Sequence, residues 1–544
     1  MSAAFLQLLV SVFALSAVAT FAAHRVLPQF GLLDRPDERR KLHKQEIAVG
    51  GGIAVYLALA AGLLVVTGWP TTVASSLLEA RPGALGYLPA FVLVAGVLVG
   101  FGLVDDRVGL RGRQKLLVQL VVATAAVWGC DLAIEGVQVF GREVYFGKIG
   151  FVLAVLWLVG AINAINLLDG ADGVASVVGI TIAGGLAGLA IATGRPVDAI
   201  LPALLAASLL GFLPMNFPPA RIFLGDTGSQ LIGLTLGVAA MRASLKGTAT
   251  VALTAVVAIW FIPLLDVGVA IVRRKLAGRS IYVTDRGHLH HRLAAKGFAG
   301  RRLLGVVGLM CGITAVAGVA CVYYQTELLA VGTIAIVLLV LIATKAFAHS
   351  EARLVVTKTS NFAKSMVQPR NAQPRPREQK TQLQGVGDWE TIWSRLLDYA
   401  RYADLAAVRL EIHAPALGED FVARWARESV TEPERLWRSD IPIATERGVV
   451  GRIEIRGLSS GTNASARVIE QMREVQAIEA IVLANLTPSL GWDEPPSPIA
   501  TDGYFTPEVV AKTVETNPMR PRPVGVFPAA AVEKAEQSVS NRPR

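Results

Sequence analysis

Two amides and two carboxylates recur at steps of three in the run N-A-I-N-L-L-D-G-A-D-G: Asn163, Asn166, Asp169 and Asp172. On a helix that spacing keeps neighbouring side chains roughly on one side. The run follows an apolar stretch over 151–162, and four such groups at the rim of a bilayer are expensive without partners. Two further acidic islands, Asp105-Asp106 and Asp226, also lie at ends of apolar segments. Oxygen ligands of this kind suit a divalent cation that also contacts substrate phosphate. The three islands together point to a site for a cation and phosphates at a membrane surface.

Each island has its own chemistry and its own plain alternative. Asp105-Asp106 opens D-D-R-V-G-L-R-G-R-Q-K. Adjacent side chains diverge, so one carboxylate can face a metal while the other takes a proton, with Lys115 adding anion-binding charge. A bare Asp-Asp pair is equally at home in a solvated loop. In the 163–173 run, Gly170 and Gly173 permit a turn or close substrate approach; helix capping would need one Asp or Asn, not four. F-L-G-D-T-G-S, 223–229, places Asp226 between glycines, beside hydroxyls of Thr227 and Ser229 that suit phosphate oxygens. D-R-G-H-L-H-H-R, 285–292, sets His288, His290 and His291 beside Arg286 and Arg292. Three histidines suggest zinc, but the cationic flanks favour an anion, and pyrophosphate binding is the preferred expectation.

These islands need helices to hold them. The 544-residue chain is 53% apolar with a mean hydropathy of +0.50, values of an integral membrane protein. Apolar runs continue to about His349, and the rest reads as soluble. The net charge of +10 falls in the first part, which points to basic membrane loops and away from nucleic acid. Cys130, Cys311 and Cys321 offer neither a disulfide framework nor a C-x-x-C metal spacing. The first apolar run lacks a basic leader and reads as a retained helix.

About eleven spans are expected, near 4–24, 48–68, 86–104, 114–130, 149–167, 174–193, 197–214, 228–241, 248–272, 302–323 and 327–348. The span at 228–241 is the shortest. The loops at 25–46 and 273–292 are the basic ones, so they stay cytoplasmic. The N-terminus is then outside and the C-terminal tail inside. Every polar island falls on the cytoplasmic face. The membrane part is expected over 1–350, a linker over 351–386, a small cytoplasmic α/β domain over 387–486 and a disordered, Pro-rich tail over 487–544. The domain carries no nucleophile, metal or phosphate motif and reads as a regulatory or interaction module with an unidentified partner.

In order and spacing, the motifs over about 20–325 resemble the polyprenyl-phosphate N-acetylhexosamine-1-phosphate transferase family. The matching segments are R-K-L-H-K-Q-E-I-A-V-G-G-G-I, the Asp-Asp segment, N-A-I-N-L-L-D-G-A-D-G, F-L-G-D-T-G-S and H-L-H-H. The H-x-H-H form, with Pro263, Asp266, Arg273 and Arg274 before it, is most similar to the undecaprenyl-phosphate N-acetylglucosamine branch. The resemblance implies attack of a polyprenyl phosphate on the β-phosphorus of a UDP-HexNAc, UDP-GlcNAc for the branch it is most similar to, with release of UMP. It implies a bacterial plasma membrane, the start of a lipid-linked cell-wall or lipopolysaccharide glycan, and Mg2+, with Mn2+ as the alternative.

By motif, Asp226 matches the principal metal ligand, with Asp169 beside it. Asp105 and Asp106 match the pair assigned to the lipid phosphate, one of them a candidate base. Asp169, Asp172, Asn216 and Phe223 match nucleotide-pocket positions, Phe223 stacking on uracil. Lys44 matches a basic residue near the nucleotide, and Arg286, His288, His290 and His291 match the sugar-diphosphate loop. Lys115, Asn163 and Asn166 complete the expected substrate-binding set, and a homodimer is left open. Ala48 departs from the family, which usually has proline there. Competing classes are a CDP-alcohol phosphotransferase, whose D-G-x-x-A-R signature is absent after Asp172, an ion-coupled transporter, and a catalytically silent scaffold.

Overall fold

Uninterrupted apolar runs bounded by glycine, proline and charge give the chain its helices. The computed structural model describes residues 3–34, 46–68, 85–139, 142–244, 250–276, 287–349, 377–384, 389–402, 405–414, 419–427, 436–445 and 448–458. Helices α1 (Ala3–Val26), α2 (Gly52–Gly68), α3 (Leu88–Val108), α4 (Gly112–Gly129), α5 (Lys148–Leu168), α6 (Val174–Ala192), α7 (Ile200–Asn216) and α8 (Gly225–Ser244) come first. They are followed by α9 (Thr250–Ile259), α10 (Phe261–Leu276), α11 (Leu289–Ala295), α12 (Arg301–Tyr323) and α13 (Glu327–Ala343). Six helices among the described residues are long and apolar enough to cross a membrane, seven if α9 and α10 form one span bent by 75°. The protein is a polytopic helical membrane protein.

The shortest expected span, 228–241, is instead the middle of the 20-residue helix α8. Helix α8 packs against α2, α3, α5, α6 and α7. Because it faces protein rather than lipid, it tolerates Thr227, Ser229, Gln230 and Thr235, all fully buried. Those polar residues lower its hydropathy, which is why it looks weak as a sequence. Helix α4 carries Arg113, Lys115 and Gln119 for a related reason: its first turns face the polar rim.

Glycines allow α8 to sit close to its neighbours, the packing mode of membrane helices. A Cβ on Gly102 of α3 would stand 2.5 Å from the Cα of Thr227, and one on Gly233 would stand 2.6 Å from the Cα of Ile162. Gly52 meets the backbone of Gly228 in the same way. At its far end α8 is held by charge. Arg242 Nε donates to Asp198 Oδ1 at 2.8 Å, and its guanidinium lies 3.6 Å from the centroid of the Tyr87 ring. Cys130, Cys311 and Cys321 are buried and form no disulfide.

Strand β1 (Leu33–Asp34) pairs antiparallel with β2 (Ile47–Ala48). The chain after β2 then lies along 222–224: Phe223 N donates to the Ala48 carbonyl at 2.8 Å, and Gly51 N to the Phe223 carbonyl at 2.9 Å. A short hairpin, β3 (Gly136–Val139) with β4 (Arg142–Tyr145), links α4 to α5.

Beyond the helices, β5 (Arg377–Gln384), β6 (Ala407–Ala414), β7 (Glu419–Ala426), β8 (Leu436–Thr445) and β9 (Gly448–Leu458) form one sheet in the order β5-β7-β6-β9-β8. All neighbours are antiparallel. The amphipathic helix α14 (Trp389–Tyr402) buries Trp389, Ile392, Trp393, Leu396 and Leu397 on it, with Trp389 stacked on Phe421. Strand β5 falls in the stretch expected to be linker. Its R-E-Q-K-T-Q-L-Q sequence has almost no apolar residues because it is an edge strand, so periodicity does not reveal it. The helix expected at 468–482 and the tail lie outside the described residues.

The close approach at Gly102 gives a stability test. We expect Gly102→Ala to destabilise the folded protein by about 1–3 kcal/mol, the usual cost of overpacking. Gly100→Ala, in the same helix with open space around it, is expected to be neutral or slightly stabilising. Thermal unfolding of both variants in detergent makes the comparison; equal melting temperatures would remove the packing argument.

Candidate active site

Four helix ends converge on Asp226. Asp105 and Asp106 occupy the last turn of α3, Lys115 the first turn of α4, Asn166 the last turn of α5, and Asp226 the first turn of α8. Asp226 Oδ2 accepts from Lys115 Nζ at 2.5 Å, and its Oδ1 accepts from Asn166 Nδ2 at 2.6 Å. The same lysine pairs with Asp105 Oδ2 at 2.7 Å. Asp105 Oδ1 accepts the Leu110 amide at 2.9 Å, which holds the turn after α3. Asp106 faces the start of α8, accepting from the amides of Asp226 and Thr227 and from the Thr227 hydroxyl. All these groups sit at helix ends rather than mid-helix.

Asp169 ends α5 as its C-cap. Burial, and then the carboxylates of Asp226 and Asp106, push its carboxyl up to about 8. Lys115 thus faces the carboxylates of Asp105 and Asp226, with those of Asp106 and Asp169 close by. That donor set fits a hard cation: Mg2+ takes one or two carboxylates and completes its shell with water and phosphate. Lys115, wedged between Asp105 and Asp226, shows that the pocket accepts positive charge. Among the described residues no three of His, Cys, Asp or Glu form a metal-holding group, so a closed structural site of the zinc type is not built here.

The histidine segment closes one side. Asp266 of α10 is fully buried; its Oδ2 lies 2.8 Å from His288 Nδ1, and its Oδ1 accepts the Leu289 amide at 2.7 Å. Asp266 therefore orients His288 and caps the short helix α11. The His290 ring lies against Gly170 of the D-G-A-D-G turn, where a side chain would overlap it. Neither His290 ring nitrogen has a hydrogen-bond partner among the described residues, although the residue is 3% exposed. His291 is beside it, ring centroids 4.2 Å apart.

Other expected residues have different tasks. Asn216 is buried with its amide used inside the protein: Oδ1 accepts from Ser176 Oγ at 2.9 Å and Nδ2 donates to the Ile222 carbonyl at 2.9 Å. It braces the 216–222 loop, so the nucleotide-contact role expected of it does not match its surroundings. Asn163 lies one turn below Asn166 and donates to Gln119 at 2.7 Å and to the Val159 carbonyl at 2.8 Å. Asp172 accepts the Ala220 amide at 3.0 Å, tying the turn to the 216–222 loop. Phe223 is half-buried between 48 and 51. Lys44 and Arg286 lie outside the described residues. Sequence reasoning missed the roles of Asp266, Gln119 and Ser176. Asp266, an acid among apolar residues, carried the one usable signal.

Comparison with known proteins agrees with this geometry. The family model described as glycosyl transferase family 4 matches residues 88–244, the stretch from α3 to α8. A probable undecaprenyl-phosphate N-acetylglucosaminyl 1-phosphate transferase of Bacillus subtilis (strain 168) is 30% identical over 306 residues, covering 55% of this chain and 80% of that protein. The chain belongs to this transferase family. Among further relatives, a decaprenyl-phosphate N-acetylglucosaminephosphotransferase of Mycolicibacterium smegmatis is 34% identical over 336 residues, 57% of this chain and 81% of the relative. An undecaprenyl-phosphate alpha-N-acetylglucosaminyl 1-phosphate transferase of Salmonella typhi is 29% identical over 328 residues, covering 58% and 83%. The transferase family's matched segment supplies Asp105, Asp106, Lys115, Asn166, Asp169 and Asp226 together.

His290 supplies a pH test. Burial, then the neighbouring His291, pushes its imidazole down to about 3 against a weaker pull from Asp266. The unfolded chain protonates this residue near pH 6.5, about its ordinary value, and the folded chain does not. Its contribution to stability is full above pH 6.5 and falls by up to about 1.4 kcal/mol per pH unit below it. We expect His290→Gln to flatten the drop in unfolding temperature between pH 7 and pH 5. An unchanged slope would show that the ring is charged in the folded protein.

Proposed function

We propose that the protein transfers N-acetylglucosamine 1-phosphate from UDP-GlcNAc to a polyprenyl phosphate, releasing UMP. The observation that carries this reading is the convergence of Asp105, Asp106, Asp169 and Asp226 at the ends of α3, α5 and α8, with Lys115 of α4 bridging Asp105 and Asp226. The relatives' names supply the acceptor and the sugar class. The product would begin a lipid-linked cell-envelope glycan in a bacterial plasma membrane. From loop charge, the N-terminus lies outside, the site at the cytoplasmic rim and the C-terminus inside, with eleven spans.

In this mechanism an oxygen of the lipid phosphate attacks the β-phosphorus, and the bond to the UMP oxygen breaks. The acceptor phosphate is largely ionised at neutral pH, so alignment and charge neutralisation matter more than proton removal. Lys115, half-exposed and held by Asp105, pairs with phosphate oxygens at the rim. Asn166 keeps Asp226 in place. His290, neutral and without another partner among the described residues, donates to the diphosphate. His288, oriented by Asp266, stands behind it. Asp226 and Asp169 would hold Mg2+, or Mn2+ in its place, which supplies charge stabilisation on the diphosphate.

UMP release from UDP-GlcNAc is expected only with both polyprenyl phosphate and magnesium present. Asp226→Ala should lower turnover by at least about 100-fold while the protein still inserts. Release without acceptor, or in excess chelator, would refute the reaction; near-normal turnover of a folded Asp226→Ala protein would refute the assignment.

The sheet with α14 has its own buried core and contributes no residue to the acidic cluster. Chain ended after Ser350 should therefore insert and transfer sugar phosphate in vitro. Turnover per folded molecule, full-length against truncated, is the comparison. Loss of turnover without loss of folding would place part of the catalytic machinery in the tail.

A further inference from the structure

We propose that Asp106 is a positioning residue for Asp226, and that within the Asp105-Asp106 pair only Asp105 is placed to act on substrate. This rests on the transferase reading above. Both oxygens of Asp106 are committed to the first turn of α8. Oδ1 accepts the Asp226 amide at 2.7 Å; Oδ2 accepts the Thr227 amide at 3.2 Å and the Thr227 hydroxyl at 2.5 Å.

The first amides of a helix have no partner within it, and a side chain at the helix's own N-cap usually supplies one. Here the residue before the helix is Leu224 and its first residue is Gly225, and neither carries an oxygen in its side chain. Gly225 sits at φ +70° with the Asp106 carboxylate where a side chain would go. The cap therefore comes from α3, across the bundle. Gly102, one turn earlier on α3, lets the two backbones close to the distance that this cap needs.

Asp105 points elsewhere. Its Oδ2 meets Lys115, whose ammonium also meets Asp226 Oδ2. One ammonium separates it from the proposed metal ligand, whereas Asp106 reaches Asp226 only through the peptide backbone. Adjacent carboxyls thus do different work. Asp105 belongs to the charge that substrates meet, and Asp106 sets the direction in which the Asp226 side chain leaves the helix.

An amide at 106 keeps an acceptor for the Asp226 N–H and can turn its NH2 toward the Thr227 hydroxyl oxygen, whereas alanine removes the cap. Hydrogen exchange of the 226–227 amides reads the cap without reference to activity. In the full-length protein we expect Asp106→Ala to speed exchange of both amides by at least about tenfold, and Asp106→Asn, whose oxygen still accepts from the 226 amide, to leave that amide within about threefold. In the UMP assay, Asp106→Asn should keep at least about a tenth of kcat/KM and the wild-type pH profile, while Asp106→Ala falls about 100-fold. The magnesium concentration for half-maximal rate should rise in Asp106→Ala and stay near wild type in Asp106→Asn. Asp105→Asn should be as damaging as Asp105→Ala.

The proposal is overturned if Asp106→Asn is as inactive as Asp106→Ala with 226–227 exchange unchanged, the result expected of a base. If Asp106→Ala does not fold, the asparagine variant alone decides by the same two readings. A wild-type protein that releases no UMP refutes the transferase reading, and the exchange measurement still decides the cap.

Discussion

Like charges crowded into a poorly solvated space repel one another, and that repulsion organises this protein. Asp105, Asp106, Asp169 and Asp226 share one corner, where Lys115 pairs with Asp105 and Asp226. Each carboxyl is given a different neighbour, as such crowding requires. Asp105 has the lysine and a turn amide, Asp226 the lysine and Asn166, and Asp106 the start of α8. Asp169, with little compensation, is pushed upward. The surplus negative charge that is left suits a positive partner. The helices that supply these groups can converge only because Gly52, Gly102 and Gly233 remove side chains from the contacts with α8.

Much of this was legible in the residues. The step of three from Asn163 to Asp172 announced a one-sided polar stripe, and Asn166 and Asp169 do face the cluster while Asn163 continues it one turn deeper. The acidic islands were recognisable because carboxylates at the ends of apolar runs need a reason. Of the eleven expected spans, six to seven among the described residues are long and apolar enough to cross a membrane, the bent pair α9 and α10 making the seventh. What sequence could not give was the division of labour. Neither the lysine bridge nor the cap from Asp106 can be seen in a linear string, because both depend on which helix end lies next to which. Asn216 matches a nucleotide-pocket position by family resemblance alone; its amide accepts from Ser176 and donates to the Ile222 carbonyl.

The helix α8 and the strand β5 were obscure for opposite physical reasons. Helix α8 is the most buried segment of the bundle, so it can be polar where lipid-facing helices cannot. Strand β5 is an edge strand of the soluble sheet, so charge and glutamine on it are tolerated and even protective. Hydropathy reads the solvent a segment meets, and both segments meet something other than the solvent expected for their place in the chain.

The two ends of α8 have a mechanical consequence. From Asp226 to Arg242 the helix runs about 24 Å at the usual rise. One end is pinned through its amides by Asp106, the other by Asp198 and the Tyr87 ring. A post fastened at both rims and enclosed on its flanks has little freedom to slide, turn or rock. Carriers that expose a site alternately to two compartments need such freedom. A helix clamped in this way instead makes a stationary anvil, against which mobile reactants, one dissolved in water and one diffusing in the plane of the lipid, must be brought into register.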